Sequence, residues 1–169
     1  MTFKIILAIF FVIIGATIGM LLSNSLKNRL LMLQQYQVML KRIKLYLSYE
    51  NMKTFQIIKK LSESQYFSKL TFLKNVYENM QIEKNFPQIW KEQIDNSQIN
   101  LFDGDKLLIL SLGDILGSYE LNSQIESIEL QEKLLEEKIT EAREKFLQLG
   151  KLYRSLGILL GIACGILIL

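Results

Sequence analysis

Two apolar blocks without charged side chains occupy the two ends of this 169-residue chain and constrain its fold more than any other feature. As a helix, residues 5–22 span about 27 Å, against roughly 30 Å of hydrocarbon in a membrane. Residues 155–169 span about 22 Å as a helix, and this block comes near spanning length if the helix starts earlier and Arg154 extends toward the headgroups. We therefore predict a membrane helix at each end of the chain.

The charges beside the blocks predict how the chain is oriented. A cleaved signal peptide is the alternative for the first block, but its apolar core is long, no A-x-A cleavage site follows, and most nearby basic residues come after it. The alternative for the second block is an anchor that only half enters the membrane. Basic residues flank the middle of the chain at both boundaries, so the positive-inside rule places the middle in the cytoplasm. The prediction is a two-pass protein of the cell membrane, with helices over residues 1–23 and 155–169 and a cytoplasmic domain over residues 24–154.

Glycines recur at intervals of four residues in both blocks. Gly157, Gly161 and Gly165 share one face of a helix, and Gly15 and Gly19 repeat the spacing in the first block. Lipid provides no hydrophobic force between helices, so close backbone approach over small residues matters more there. We predict that these faces pack, either on each other or on the helix of another subunit. The alternative is that glycine is simply common in membrane helices.

The segment between the blocks has the hydrophobic period of helices, which predicts an all-α fold. Its first stretch, from Leu26 to Leu47, has a wide apolar face suited to burial in a bundle. A break in the pattern at SYENMK, near residue 50, ends this helix. Four shorter helices are predicted to follow: Thr54–Leu61 with Thr54 as a possible cap, Ser68–Gln81, one beginning at FPQIW with Pro87 in its first turn and Trp90 in the core, and Lys106–Leu116 after a turn at Asp103-Gly104.

The last stretch of the domain has the most regular pattern. Its residues alternate by four and three, a heptad seam typical of coiled coils, and Glu132 is its one charged member. A continuous helix from Leu121 to Arg154 would be about 51 Å long. The simplest arrangement is a bundle of about six helices in which this helix lies antiparallel to the first. The predicted seam consists of Leu121, Ile125, Ile128, Glu132, Leu135, Ile139, Ala142, Phe146, Leu149, Tyr153 and Leu156.

The residue types argue against most catalytic and ligand-binding chemistry. The chain has no histidine and a single cysteine, Cys164, so the commonest general base, the commonest metal ligand and an internal disulfide are missing. It has no glycine-rich phosphate loop, and its net charge of +3 is too small to indicate nucleic-acid binding. The pair Asp103 and Asp105 suits a cap or a turn better than a metal site. We predict a protein that is not an enzyme and has no cofactor, metal or small-molecule substrate.

Four stretches of the sequence, in the same order along the chain, together resemble one known family. They are GATIGMLLSNSLKNRLLML, FPQIWKEQI, LSLGDILGSYELNSQ and the tail LYRSLGILLGIACGILIL. The third resembles an L-G-x-x-L-G-x-x-D-x-x-x-Q run, with Glu120 in place of the usual aspartate, and the turn SYENMKTF lacks the glycine and proline of the family. The family is stage III sporulation protein AB of endospore-forming bacteria. The run falls on Leu112, Gly113, Leu116, Gly117, Glu120 and Gln124.

This resemblance implies a location and a role. Members of the family are part of the channel assembly that links mother cell and forespore after engulfment, and they sit in the mother-cell membrane around the forespore. Their cytoplasmic domain is similar to the helical domain of inner-membrane platform proteins of type II secretion and type IV pilus machines. The resemblance therefore implies a platform or adaptor subunit whose partners are membrane lipid, a secretion-type ATPase and other channel subunits.

A docking surface is expected at the far tip of the domain, where two helices meet and polar residues interrupt the apolar pattern. The predicted partner-binding residues are Leu116, Gly117, Glu120 and Gln124. In the alternative interpretation, the glycines of this stretch only allow close helix packing, while Glu120 and Gln124 cap the last helix. The competing function is a self-assembling membrane scaffold without an ATPase partner, in which the seam and the glycine faces build homo-oligomers.

Overall fold

The computed structural model describes residues 2–83, 85–97, 102–118 and 120–168, and over these ranges every regular element is a helix, without strands. The predicted all-α fold, with about six helices of which the first and last are long, is confirmed. The helices are α1 Thr2–Glu50, α2 Thr54–Ser62, a short 3-10 helix Gln65–Phe67, α3 Phe72–Asn79, α4 Phe86–Asp95, α5 Asp103–Gly117 and α6 Leu121–Ile168.

The chain packs as two compact units, and each of the two long helices contributes to both. Unit 1 consists of Met1–Leu30 and Thr140–Leu169, and unit 2 consists of Leu31–Ile139. Each long helix contains a window long and apolar enough to cross a membrane, and only 11% of the α1 window and 17% of the α6 window are buried. The core helix of a soluble protein would be mostly covered, so both windows fit exposure to lipid. The membrane boundaries after residue 23 and before residue 155 stay predictions.

The break predicted near residue 50 is confirmed, because α1 ends at Glu50. The next residue, Asn51, has a φ of 46°, in the left-handed region that asparagine tolerates better than most residues. The Met52 N–H then donates to the carbonyl of Tyr46 at 3.2 Å and closes the end of the helix. The wide apolar face of α1 is also confirmed, since its central side chains are fully buried in unit 2: Leu33, Tyr36, Met39, Leu40 and Ile43.

The cap predicted at Thr54 is wrong. Lys53 occupies the N-cap position of α2, and its N–H donates to the Gln56 side-chain oxygen at 3.3 Å. The Thr54 hydroxyl instead donates to the carbonyl of Leu116, 3.1 Å away near the end of α5. The last carbonyls of a helix lack partners within that helix, so they compete for nearby hydroxyls. The sequence around Thr54 does not indicate that its hydroxyl binds the carbonyl of Leu116, because this partner is distant in the chain.

The helix predicted over Ser68–Gln81 is shorter in the structure. The 3-10 helix Gln65–Phe67 lies just upstream of the segment, and α3 begins only at Phe72 and ends at Asn79. Phe67 and Leu70 lie on either side of the interruption and are both buried. The Leu70 N–H donates to the carbonyl of Phe67 at 2.9 Å and the Leu73 N–H to the carbonyl of Leu70 at 3.1 Å, so tight turns replace the predicted start of the helix.

The fifth helix begins earlier than predicted, at Asp103 rather than at Lys106. The N–H groups of Asp105 and Lys106 both donate to the carbonyl of Phe102, at 2.9 and 3.0 Å. Asp103 and Gly104 therefore form the first helical turn, and the separate turn predicted there is wrong. The predicted cap is also wrong, because Phe102 is the N-cap residue and no side-chain bond caps this helix.

The core of unit 2 is centred on Trp90, which is fully buried as predicted. Its indole N–H donates to the carbonyl of Ile109 on α5 at 2.8 Å. The ring of Phe72 meets it edge-on, with centroids 5.1 Å apart, and Phe86 lies at 5.7 Å. A Cβ at Gly113 would lie 2.8 Å from the indole Cδ1, so α4 and α5 pack closely only because this position has no side chain.

The buried stripe of α6 follows the predicted period but differs from the predicted seam. The two outermost seam residues, Leu121 and Leu156, are exposed, so the seam is wrong at both ends. Gln124 and Gln131 are buried instead, because each finds hydrogen-bond partners on α5 or at its end. The seam residues that are buried are Ile128, Leu135, Ile139 and Ala142.

Glu132, the charged member of the seam, is held by a lysine of α1. Lys44 Nζ lies 2.8 Å from Glu132 Oε2 and 3.6 Å from Glu129 Oε1. The hydrogen bond to Glu132 raises the pKa of Lys44 above its usual value. A cation from the facing helix therefore compensates this carboxylate, whose side chain is only 14% exposed.

A polar network crosses the apolar core between α1, α5 and α6. The hydroxyl of Tyr36 donates to the Gln131 side-chain oxygen at 3.1 Å. The Gln131 amide nitrogen donates to the carbonyl of Leu108 at 3.1 Å and to the Ser111 hydroxyl oxygen at 2.7 Å. A buried glutamine with these three bonds is satisfied, and it fixes the register between the three helices.

Replacing Tyr36 by phenylalanine is expected to lower the free energy of unfolding by about 1 kcal/mol at neutral pH, since Gln131 loses its donor. Burial raises the pKa of Tyr36 well above its usual value. Above about pH 10 the unfolded chain therefore loses this proton while the folded chain keeps it, and the stability of the unaltered protein falls. The difference in the free energy of unfolding between the parent and Tyr36→Phe should narrow as the pH rises through this range. Urea unfolding followed by Trp90 fluorescence measures this free energy at each pH. Tyr49→Phe, at an exposed tyrosine, should change neither the free energy at neutral pH nor its dependence on pH.

Candidate functional site

In unit 1 the glycine faces of α1 and α6 lie directly against each other. A Cβ at Gly15 would collide with the carbonyl oxygen of Gly157 and lie 3.1 Å from the Cα of Gly161. A Cβ at Gly19 would lie 2.5 Å from the carbonyl oxygen of Tyr153. Real Cβ atoms essentially never come closer than 3.0 Å to another heavy atom, so the backbones approach too closely for any side chain at these positions.

The contact continues toward the ends of the chain. A Cβ at Gly161 would lie 2.8 Å from both the Phe11 carbonyl oxygen and the Val12 Cα, whereas one at Gly165 would lie 3.3 Å from the Cβ of Ala8. Residue numbers on α1 fall as those on α6 rise, so the helices are antiparallel here. The structure thus brings the two glycine faces together within one chain, and the fit is strict at Gly161 and looser at Gly165.

A serine continues the row of small residues on α1. Ser23, four residues after Gly19, is fully buried, and a Cβ at Gly150 on α6 would lie 3.3 Å from its hydroxyl oxygen. The Arg154 Nε donates to this oxygen at 3.0 Å. Sequence reasoning missed this bond, although the four-residue spacing of Gly15, Gly19 and Ser23 was a usable signal. The helix contact therefore passes from glycine packing to a polar link.

The next turn of unit 1 holds a buried cation. Arg29 is only 4% exposed, and its Nη1 lies 3.7 Å from the Glu141 carboxylate on α6. Glu141 also lies 2.7 Å from Lys145, one turn further along the same helix. Arg29 is one of the basic residues that follow the first apolar block in the sequence. The structure buries it, and the Glu141 carboxylate of α6 compensates its charge.

Three of the four predicted docking residues lie in contacts within unit 2. Leu116 is 3% exposed and Gln124 is 7% exposed. The Gln124 amide donates to the carbonyl of Ser118 at 2.5 Å, which ties the start of α6 to the end of α5. A Cβ at Gly117 would lie 2.6 Å from the Pro87 ring, so this glycine lets α4 and α5 meet.

The fourth predicted docking residue, Glu120, is exposed. Its carbonyl accepts the N–H of Gln124 at 3.0 Å, in the first turn of α6. Among the described residues its carboxylate has no ion pair. Ser118 and Leu121 are also exposed on either side of it. The tip therefore presents Glu120 with small and apolar neighbours, next to the buried side chains of Leu116 and Gln124.

Comparison with protein families agrees with this architecture. Residues 4–169 match the family model of stage III sporulation protein AB. The chain belongs to this family. Searches of the curated proteins and of the solved structures find no significant match. The family resemblance predicted from the four sequence stretches is therefore confirmed over nearly the whole chain.

In this stage III sporulation AB protein, the four family-like stretches fall on two packing sites. The first and last stretches carry the glycine contact of unit 1, including Gly15, Gly19 and Gly161. The middle two carry the α4–α5 contact of unit 2, where Gly113 faces Trp90 and Gly117 faces Pro87. Much of what makes the sequence resemble the family is thus close backbone packing.

Ligand chemistry in this family member is sparse over the described ranges. No group of three or more His, Cys, Asp or Glu side chains in those ranges could hold a metal ion. Asp105 is buried in the first turn of α5, and the side chain of its predicted companion, Asp103, lies outside the described residues. The features with functional potential are therefore surfaces: the helix pair of unit 1 and the Glu120 tip of unit 2.

Proposed function

We propose that this protein is a non-enzymatic platform or adaptor subunit of a secretion-like channel complex between mother cell and forespore. In this proposal α1 and α6 cross the mother-cell membrane around the forespore, and residues 24–154 lie in the cytoplasm. The domain docks a secretion-type ATPase or neighbouring channel subunits. Family membership supports the sporulation context, and the chemistry of the sequence, which has no histidine, supports a role without catalysis.

The observation that carries this proposal is the shared use of the two long helices. Each combines an apolar, mostly uncovered window with residues that enter the core of unit 2. The windows are joined backbone to backbone by glycines of the same chain, so each molecule has its own paired anchor. A helical domain that begins and ends in such an anchor suits a platform, because its tip can bind a partner while the anchor holds it at the membrane.

In this proposal the partner binds the exposed part of the tip, at Glu120 and Leu121. Leu116 and Gln124 are buried and support the surface from below. Glu120 offers a carboxylate without an ion pair among the described residues, and exposed Leu121 lies next to it. An acidic group beside an apolar one suits a partner patch with a lysine or arginine near an apolar side chain.

Changing Glu120 to lysine is expected to reduce retention of a purified secretion-type ATPase of the sporulation assembly by about fivefold, the effect of roughly 1 kcal/mol at a surface contact. Helicity and melting temperature of the full chain in neutral detergent should stay unchanged, because the side chain is exposed. Glu126→Lys, an exposed reversal on the same helix away from the tip, is the matched control. Equal loss in both variants, or a fall in melting temperature for Glu120→Lys, would contradict docking at this tip.

A self-assembling scaffold is the second candidate, and exposed leucines favour it. Leu130 and Leu134 on α6 are 59% and 45% exposed, and Leu107 on α5 is exposed as well. Apolar side chains at this exposure in unit 2 would suit contact with another copy of the chain. The glycine faces offer less support for self-assembly, because they are occupied within one molecule. Light scattering of the unaltered protein separates the two functions: a monomer that binds the ATPase supports the platform, and a stable oligomer that does not bind it supports the scaffold.

A further inference from the structure

The basic side chains of unit 1 differ in whether a carboxylate compensates them. Arg29 and Lys145 both have Glu141 within reach, at 3.7 and 2.7 Å. Lys27, Lys151 and Arg154 have no carboxylate partner among the described residues, and Lys27 and Lys151 are exposed. These three cations lie nearer in the sequence to the apolar windows than Arg143, which also has no carboxylate partner among the described residues. Their positive charge is available to a ligand from outside the chain.

A lysine lies one helical turn from each end of the bond between Ser23 and Arg154. Lys27 follows Ser23 by one helical turn on α1, and Lys151 precedes Arg154 by one turn on α6. Residues one turn apart lie on the same side of a helix, and the bond shows that these sides of α1 and α6 adjoin. We name this group, Lys27, Lys151 and Arg154, the cation triad.

Arg154 is held in place by the structure, whereas most arginines near a membrane move freely. Its Nε is bound to the hydroxyl of Ser23, which is fully buried, and this bond directs the guanidinium across to α1. The two terminal nitrogens remain for another acceptor. A planar guanidinium with two free N–H groups side by side suits two oxygens of one phosphate.

The surrounding sequence leaves the field at the triad positive. On α1 no acid precedes Glu50, and on α6 no acid follows Glu144. The triad lies where both helices change from charged to apolar sequence, which is the depth of lipid phosphates for a helix pair that crosses a membrane. Negative charge at this level must therefore come from outside the chain.

We propose that the cation triad binds the phosphate of an anionic phospholipid headgroup, with Ser23 positioning Arg154. This inference rests on the membrane placement of the proposed function but not on its docking partner. The phosphate chemistry is shared with free inorganic phosphate. The lipid is the source we assign, because its acyl chains lie along the exposed apolar windows while its phosphate meets the triad.

Native mass spectrometry of the full chain in neutral detergent tests this proposal through the apparent Kd of the first bound lipid. Phosphatidylglycerol is expected to bind about fivefold more tightly than phosphatidylcholine. Arg154→Gln should remove this preference, Lys151→Gln should reduce it, and Ser23→Ala should weaken it while leaving all three charges. Lys151 is exposed and unpaired, so its variant reports on binding even if Arg154→Gln disturbs folding. Arg143→Gln, an exposed arginine of the same helix outside the triad, is the matched control and should keep the preference.

Three results would overturn the proposal. The first is an equal loss in Arg143→Gln and in Lys151→Gln, which would indicate general surface charge. The second is phosphatidylglycerol binding that is no tighter than phosphatidylcholine binding. The third is displacement of phosphatidylglycerol by an equal concentration of inorganic phosphate, which would exclude the lipid as the source. The assay contains no partner protein, so a failure of ATPase docking leaves its outcome unchanged.

Discussion

Replacing Gly161 by leucine is expected to separate α1 and α6 in the membrane. A Cβ at this position would lie 2.8 Å from the carbonyl oxygen of Phe11 and from the Cα of Val12. Both atoms belong to the α1 backbone and cannot move aside by changing a rotamer, so the helices must part. Overpacking of this kind costs about 1–3 kcal/mol, and in lipid no hydrophobic force restores the contact.

A disulfide across the same contact measures this separation directly. A Cβ at Gly165 would lie 3.3 Å from the Cβ of Ala8, close to the spacing of about 3.8 Å between the Cβ atoms of a disulfide. Cysteines at positions 8 and 165, in a Cys164→Ser background, should therefore cross-link on mild oxidation of the full chain in membranes. Adding Gly161→Leu should leave only a small fraction of the protein cross-linked, since cysteines whose Cβ atoms are more than about 4.5 Å apart rarely form a disulfide.

Ala163→Leu is the matched control for this experiment. It enlarges a small residue of the same α6 block that is exposed, so the new side chain meets lipid rather than α1. Cross-linking should stay at the level of the parent protein. If Gly161→Leu also leaves cross-linking intact, close packing of the glycine faces does not hold the two helices together.

The sequence allowed the positions of close contact to be predicted where the signal is local. Gly15 and Gly161 were identified from a four-residue spacing inside apolar blocks, and in the structure they lie against each other. Trp90 and the apolar face of α1 were predicted from hydrophobic period, and both are buried. In each case one residue type and one periodicity carry the information, so no knowledge of the neighbouring element was needed.

The predictions failed where a polar group finds its partner on another element. Gln131 was left out of the α6 seam because the four-three alternation passes from Ile128 to Glu132, yet its three bonds to Tyr36, Leu108 and Ser111 allow it to be buried. Thr54 was expected to cap its own helix, and its hydroxyl is bound to a carbonyl of α5. A polar side chain is buried only if another group in the tertiary structure forms hydrogen bonds with it, and a single sequence does not show which group that is.

In the candidate site, too, features set by local sequence were predicted and features set by tertiary partners were not. The glycine faces were predictable, but the polar link next to them was not, because a serine in an apolar row also fits a helix that simply tolerates it. At the tip, Gln124 was predicted as a docking residue or as a cap of the last helix. It is buried, and its amide donates to the carbonyl of Ser118 after α5, a partner that the sequence did not indicate. Glu120 is the member of that set with an exposed charged side chain.

Replacing Trp90 by alanine is expected to have the largest effect on unit 2, a loss of about 3–5 kcal/mol in the free energy of unfolding. The fully buried indole contacts Phe72 and Phe86 and donates to the carbonyl of Ile109, so its removal leaves a cavity and also removes a hydrogen bond between α4 and α5. Gly113 cannot fill the space, because it has no side chain. Domains are stable by only about 5–15 kcal/mol, so this loss removes much of the total.

Urea unfolding of the full chain in neutral detergent, followed by far-ultraviolet circular dichroism, measures this loss without the tryptophan signal. Trp90→Phe separates its two causes, because phenylalanine keeps most of the ring packing against Phe72 but removes the N–H donor. It should cost about 1 kcal/mol for the lost indole hydrogen bond, clearly less than alanine. An alanine variant within 1 kcal/mol of the parent would contradict a core centred on Trp90. Equal losses in both variants would assign the stabilisation to the hydrogen bond rather than to the packing of the rings.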